Sequence, residues 1–388
     1  MKISEVIVFV IYLVFMLSIG VYFFFKNRSG GEKTYFLGGR QMGPWVTALS
    51  AGASDMSAWV LMGLPTSIYA LGVGQVWISV GLAIGYTISW LVEAPRLRRV
   101  SIVANDSITI PQYLTNRFLS KSKALQIICA VIFLVAYTVY AASSVKACGT
   151  LFNTVTGMDE TAAMYLASII IIGYTFLGGF SAVCWTDFFQ GMLMLGALLI
   201  APIFALFMLQ GMGVHAVDTP DYFNAFSSWK DIVSGLGWGL GYFGMPHILL
   251  RFMAIEEEKK LVLSRRIATV WVLISMCVAI LIGIIGYGAS VAGSIPMFTT
   301  SSQSETVIIQ FAHLLGQNGF LLSLVAGVVL AGILACTMST ADSQLLTAAS
   351  GVSQNLLQDF LKIKMSTAAS MNAARLTVMG IAIVVDII

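Results

Sequence analysis

The chain has 388 residues, 58% of them hydrophobic and only 10% charged, with a mean hydropathy of +0.89. A soluble domain carries about 25% charged residues, so this is a polytopic membrane protein, and its net charge of +3 is too small to point to a nucleic-acid partner. Five scattered cysteines form no C-x-x-C pair and read as small packing residues. With no Walker loop, H-E-x-x-H or G-x-S-x-G, nothing points to an ATPase, a hydrolase or any other enzyme.

In chain order, apolar runs predict spans near 6–25, 45–65, 70–92, 125–150, 162–182, 187–209, 231–253, 267–292, 318–345 and 373–388. The first run is long enough for a ~30 Å hydrocarbon layer. It lacks an A-x-A cleavage pattern and reads as a permanent span. With the N-terminus outside, the inside segments are 26–44, 93–124, 183–186, 251–266 and 346–375. They hold 18 of the 21 Lys and Arg, among them Lys26, Arg28, Arg40, Arg251, Lys362, Lys364 and Arg375. Only Lys2, Lys146 and Lys230 fall on the other side, so the positive-inside rule predicts that orientation. The last run is shorter than the ~20 residues of a spanning helix, the pattern of a chain cut from a longer protein.

Three segments are poor continuous helices. In "LSAGASDMSAWVLMGLP", residues 49–65, Ser50, Ser54 and Ser57 share one helical face and Asp55 adds a carboxylate, while Gly52 and Ala53 expose backbone cheaply. Such a stripe points at protein or water rather than lipid; the alternative is that small serines knit neighbouring helices together. In "GLGWGLGYFGMP", residues 235–246, five glycines and a proline favour unwinding in mid-membrane, and Trp238 and Tyr242 share a face. The alternative is a close-packing glycine helix. In "ACTMSTADSQ", residues 335–344, Ser339, Thr340 and Ser343 cluster with Asp342 near the inside end of a span. Hydroxyls are hard donors that suit a small cation such as sodium, or they bond back to their own helix. The two glycine-interrupted segments are the second and seventh spans. Paired broken helices in corresponding halves point to the binding site of a secondary transporter. A spacing of five makes the two halves inverted.

Four stretches carry a family resemblance: "YFLGGRQMGPWVTALSAGASDMSAWVLMGLP", "YTFLGGFSAVCWTDFFQG", "GWGLGYFGMPHILLRFMA" and "MSTADSQLL". They resemble the sodium:solute symporter family, most closely its bacterial proline-carrying members, from about residue 5 to the last residue. The resemblance implies an all-α integral membrane protein with an inverted five-plus-five helix repeat of the leucine-transporter-like kind. One extra N-terminal helix precedes a first repeat at about 45–209, and the second, incomplete, covers about 231–388. The sodium ligands it implies are the carbonyls of Ala53, Met56 and Cys336 and the hydroxyls of Ser339 and Thr340. The implied proline pocket is Ser57, Tyr140, Trp238, Tyr242, Pro246 and Gly327, with Arg40, Asp55 and Asp187 in coupling or gating roles.

The residues themselves leave plainer readings open. Tyr140 reads equally as a core tyrosine, Asp187 as a first-turn carboxylate favoured by the helix dipole, and Arg40 as a positive-inside charge. His247 reads as a titrating group or as the cap of a broken helix. Met245 stands where proline carriers of the family have glutamine. The expected function is sodium-coupled uptake of L-proline across a bacterial plasma membrane. A symporter for another small solute, or the membrane sensor part of a signalling protein, is the alternative. The sequence says nothing of oligomeric state.

Overall fold

The computed structural model describes residues 2–27, 30–210, 221–226, 228–363 and 365–388. Two of the basic residues counted above, Arg28 and Lys364, lie outside the described residues. Seven helices among the described residues are long and apolar enough to cross a membrane. α1 is Ile3–Lys26, whose 24 residues reach about 36 Å at 1.5 Å per residue. Its outer face of Ile3, Val10, Ile11 and Val14 is exposed, as a surface against lipid must be.

Next comes the broken helix α2, residues 44–71, started by Pro44 at its first turn. α3 is Val73–Val103 and α4 is Ala124–Thr156. The helix Glu160–Gln210 is far too long for one crossing and is interrupted at Gly179, φ +58° and ψ −151°. Its two arms, α5 (160–178) and α6 (180–210), run in opposite directions along α1. A Cβ on Gly20 would meet Tyr174 and one on Gly178 would meet Phe23, whereas Tyr12 bonds Gln190 and Phe23 packs on Trp185. Only glycine fits at 179, because a Cβ there would lie 2.7 Å from the Tyr35 carbonyl.

A second broken helix, α7, covers residues 229–254. Then follow α8 (Leu261–Val291), the short α9 (Val307–Gln317), α10 (Phe320–Ser350, continuing as a wider turn to Phe360) and α11 (Thr367–Ile387). Seven long apolar helices, one of them folded in two, and two broken ones make up the bundle of the described residues.

α10 is the axis of the bundle. Every residue from Val329 to Ser350 is buried, against α1, α2, α4 and α6. Small side chains permit the approach: a Cβ on Gly332 would stand 2.4 Å from that of Ala197 on α6. The hydroxyl cluster of 335–344 therefore lies in the interior of a continuous helix, which runs well past the residue where the hydropathy signal fades.

Both glycine-rich segments do break, but not where the glycines alone suggested. α2 stays helical through Gly52 and Ala53 and breaks at Ser57, φ +37° and ψ −177°, followed by a π turn at Trp59–Gly63. Gly52 instead makes room for the Trp271 ring, which a Cβ would meet at 2.8 Å. α7 tightens into a 3-10 turn at Trp238–Phe243 and opens at Gly244 and Met245 before Pro246 restarts it. Its earlier glycines serve close packing: Gly81 and Gly85 of α3 lie against the backbone of Gly235 and Gly239. Here both readings of the sequence hold, in different halves of the segment.

Candidate functional site: a broken-helix cation and solute site

The two broken helices run antiparallel with their interruptions side by side. Ser50 meets Arg251, Asp55 meets Tyr242 and Trp59 stacks on Trp238. α10 lies behind the α2 break. The Ser339 hydroxyl donates to the Ala53 carbonyl (2.8 Å) and to the Cys336 carbonyl (3.2 Å), which also accepts from the Thr340 hydroxyl at 3.1 Å. Ala53, Cys336, Ser339 and Thr340 are thus joined in one buried cluster of neutral oxygens. The Met56 carbonyl, the fifth expected ligand, accepts from the Trp59 N–H just past the break.

Two carbonyls and two hydroxyls between two helices are the donor set of a hard alkali cation, with no soft or charged ligand to favour a transition metal. Among the described residues no group of three or more His, Cys, Asp or Glu is placed to hold a metal.

Above the break lies a cavity of about 440 Å³. Ser57, Tyr140 and Trp238 line it, as the resemblance implied, together with Trp59, Ser144 and Glu305, which the sequence reading missed. Trp59 and Trp238 stack with ring centroids 5.4 Å apart and form one apolar wall. Tyr140 is 38% exposed and is no core tyrosine. Larger grooves of about 540 Å³ run along the outer surface, but aliphatic side chains such as Leu134 and Val384 line them and no polar groups converge there.

The other three pocket candidates lie elsewhere. Tyr242 is buried below the cavity and donates to Asp55 Oδ2 at 2.5 Å. Pro246 is buried at the restart of α7. Gly327 is nine residues from Cys336, half a rotation at 100° per residue, and so sits on the opposite face of α10. There a Cβ would stand only 3.1 Å from Glu5 and Val8 of α1.

On the other side of the oxygen cluster is an ion network that joins Asp187, Asp342 and Ser343, singled out in the sequence, to Arg251, which was not. Arg251, counted there among the loop charges, is 1% exposed inside α7. Its Nη2 donates to Asp187 Oδ2 (2.9 Å) and the Ser343 hydroxyl (2.6 Å), Nε to Ser50 (3.0 Å) and Nη1 to the His247 carbonyl (2.7 Å). Ser50 also donates to Asp187 at 2.7 Å, and Tyr174 donates to Asp342 at 2.7 Å. Asp187 is therefore no first-turn carboxylate. It lies two turns beyond Gly179, fully buried, and one guanidinium ties together α2, α6, α7 and α10. His247 meets Tyr137 at 3.1 Å beside Pro246.

Arg40 is also buried, at 7% exposure, just before α2. It bonds Asp106 (3.1 Å), Ser101 (3.1 Å), the Met253 carbonyl (2.7 Å) and the Ser107 carbonyl (2.9 Å), and so clamps the ends of α3 and α7 to the entry of α2. Partial burial pushes the Asp106 carboxyl up, but Lys33 and Arg40 outweigh it and hold it below the usual carboxylate range. The ion pair is thus complete at neutral pH and is lost only as pH falls through that lowered value. Arg40→Lys keeps the charge but cannot form this fork. It is expected to reduce transport almost as far as Arg40→Ala, at least about tenfold for a network of buried partners left unpaired. Initial uptake rates corrected for membrane abundance check this, and full activity in the lysine variant would leave only the positive-inside role.

The comparisons with known proteins agree with this geometry. The model of the sodium:solute symporter family matches residues 35–388. The chain is 40% identical over 376 residues to the high-affinity proline transporter PutP of Bacillus subtilis, covering 95% of this chain and 77% of that protein. It is 40% identical over 362 residues to a sodium/proline symporter of Staphylococcus aureus, covering 92% and 68%. Among solved structures it is similar to a Na+-coupled sialic acid symporter in a substrate-bound outward-open state, with TM-score 0.85, 18% identity and coverage of 100% and 81%. Mhp1, a nucleobase-cation-symport-1 family transporter, is more distant at TM-score 0.53, 14% identity and coverage of 90% and 73%. The fold is the leucine-transporter-like fold of such symporters. With the family model matched from Tyr35 to the last residue, over two antiparallel broken helices and an oxygen-lined cluster between them, this chain belongs to the sodium:solute symporter family.

Proposed function

We propose that the chain carries out sodium-coupled uptake of L-proline by alternating access. The observation that carries this reading is the cluster of oxygens formed by Ala53 of broken α2 with Cys336, Ser339 and Thr340 of α10, joined across the two helices by the Ser339–Ala53 bond. A sodium ion there takes the oxygens that now bond one another, with the Met56 carbonyl as a further ligand, and draws the unwound strand of α2 against α10. That orders Ser57, the first residue of the cavity, so sodium raises proline affinity and proline raises sodium affinity by the same factor.

Proline is a zwitterion with an apolar ring. The Trp59–Trp238 wall suits the ring, and the hydroxyls of Ser57 and Tyr140 suit the carboxylate. No bond is made or broken. One charge crossing 100 mV yields about 2.3 kcal/mol, and with an equal sodium gradient this supports roughly a thousandfold accumulation, since each 1.4 kcal/mol is tenfold.

In this reading the first repeat is about 45–209 and the second about 231–388, with α1 outside both. The N-terminus faces out and the end of the bundle carrying Arg40 and Arg98 faces the cytoplasm of a bacterium. Met245, in the α7 break, offers no amide to the solute, which favours another small amino acid as the second reading.

The test is uptake of labelled proline into proteoliposomes with sodium replaced by potassium, run beside a panel of competing amino acids. Uptake is expected in sodium alone. Equal uptake in potassium overturns the coupling, and a stronger competitor than proline reassigns the substrate. Ser339→Ala with Thr340→Ala, which removes two of the ligands, is expected to raise the half-saturating sodium concentration at least about tenfold.

A further inference from the structure

The Cys336 side chain makes a bond that the cation site itself does not require. Its carbonyl belongs to the oxygen cluster, accepting from Ser339 and Thr340. Its thiol points the other way along the break and donates to the Ser57 carbonyl. That carbonyl is available because ψ at Ser57 is −177°, which turns it sideways out of the helix ladder.

Ser57 in turn faces the solute cavity. Its hydroxyl accepts from the Trp59 N–H at 3.1 Å, and Tyr140 lines the same cavity. One residue of α10 therefore holds the cation cluster with its backbone and the cavity's first residue with its side chain. Ser339 holds the near end of the same strand, at Ala53. When a cation takes the Ser339 oxygen, the hydroxyl proton must turn away from at least one carbonyl it now bonds. The thiol bond to Ser57 involves no cation ligand and survives that exchange.

We propose that the Cys336 thiol is a positioning residue that transmits sodium occupancy to the solute cavity, by fixing the Ser57 carbonyl to α10 while the other α2–α10 bonds are handed to the ion. The inference rests on the sodium-coupled reading above, and it assigns the coupling between the two sites to one side-chain bond.

The experiment measures the KM for proline at low and at saturating sodium in the parent, Cys336→Ala and Cys336→Ser, each scored for membrane abundance. In Cys336→Ala the sodium-induced fall in KM is expected to shrink by roughly three- to fivefold, the size of one weak hydrogen bond. Cys336→Ser keeps a donor and is expected to restore the parent dependence. A role in packing alone would lower abundance or maximal rate and leave the KM ratio untouched. An unchanged KM ratio in Cys336→Ala, or no rescue by serine, overturns the proposal.

The infrared S–H stretch of the parent minus that of Cys336→Ser supplies a readout that needs neither transport nor the alanine variant. A band shifted to the hydrogen-bonded position supports the contact, and a free-thiol band overturns it. If the parent shows no sodium-dependent proline uptake, the functional reading fails, and this band still decides whether the thiol holds the break.

Discussion

Replacing Arg251 by leucine is expected to cost about 3–5 kcal/mol, the range for stripping one partner from a buried ion pair. The guanidinium is 1% exposed and bonds Asp187, Ser50, Ser343 and the His247 carbonyl, each on or beside a different helix except for its own. Without it Asp187 is a fully buried carboxylate left to neutral hydroxyl donors such as Ser50, and its Oδ1 has no bond even now. Among the described residues Arg251 alone forms an ion pair with Asp187. The loss is expected as low membrane abundance and an early melting transition in detergent. Arg251→Lys should recover little, since an ammonium cannot reach four partners in fixed directions. Arg251→Leu combined with Asp187→Asn should be less damaging than Arg251→Leu alone, because the uncompensated charge is gone. A double-mutant cycle with no coupling would show that the network does not act as a unit, and a parent-like melting curve for Arg251→Leu would remove the argument entirely.

The sequence disclosed the fold well because a membrane makes hydropathy nearly decisive: an apolar run must span or be buried, and the charges must collect at one end. The seven long apolar helices were legible on that ground, as was the pairing of interrupted helices. Places where the chain deviates from a helix were less legible. Glycine marks where a break is cheap, but packing decides where it falls. Gly52 is consumed by Trp271, so α2 breaks at Ser57, a residue with no special liking for positive φ, while Gly235 is consumed by Trp77 and α7 opens at Gly244 and Met245. Arg251 shows the opposite failure. A cation two residues from a predicted span end looks like a loop charge, and its burial depends on Asp187 and Ser343, which are remote in sequence. The spacing of Asp187 from Gly179 was a usable signal, because a glycine hairpin there puts that carboxylate two turns inside a helix. Gly327 failed for a simpler reason: it lies half a rotation from Cys336, a periodicity available from the numbering alone.

Asp55→Asn is expected to abolish sodium dependence while leaving the protein in the membrane, because it preserves the shape of the side chain and removes only its charge. The carboxylate lies two residues from Ala53, whose carbonyl belongs to the oxygen cluster, and it accepts a bond from the Tyr242 hydroxyl of α7 rather than from a cationic side chain. A buried carboxylate so near a bound cation attracts it across a low-dielectric interior, and its loss is expected to weaken sodium binding at least about tenfold. Tyr242→Phe separates charge from bonding: it keeps the carboxylate and removes its donor. Uptake in that variant is expected to remain sodium-dependent, with a higher KM for proline as α7 loses its tie to α2. Sodium titrations of uptake in the two variants decide the matter. If Asp55→Asn still responds to sodium as the parent does, the carboxylate has no part in coupling. If Tyr242→Phe loses the response as completely as Asp55→Asn, the bond between the two broken helices carries the coupling and the charge merely serves it.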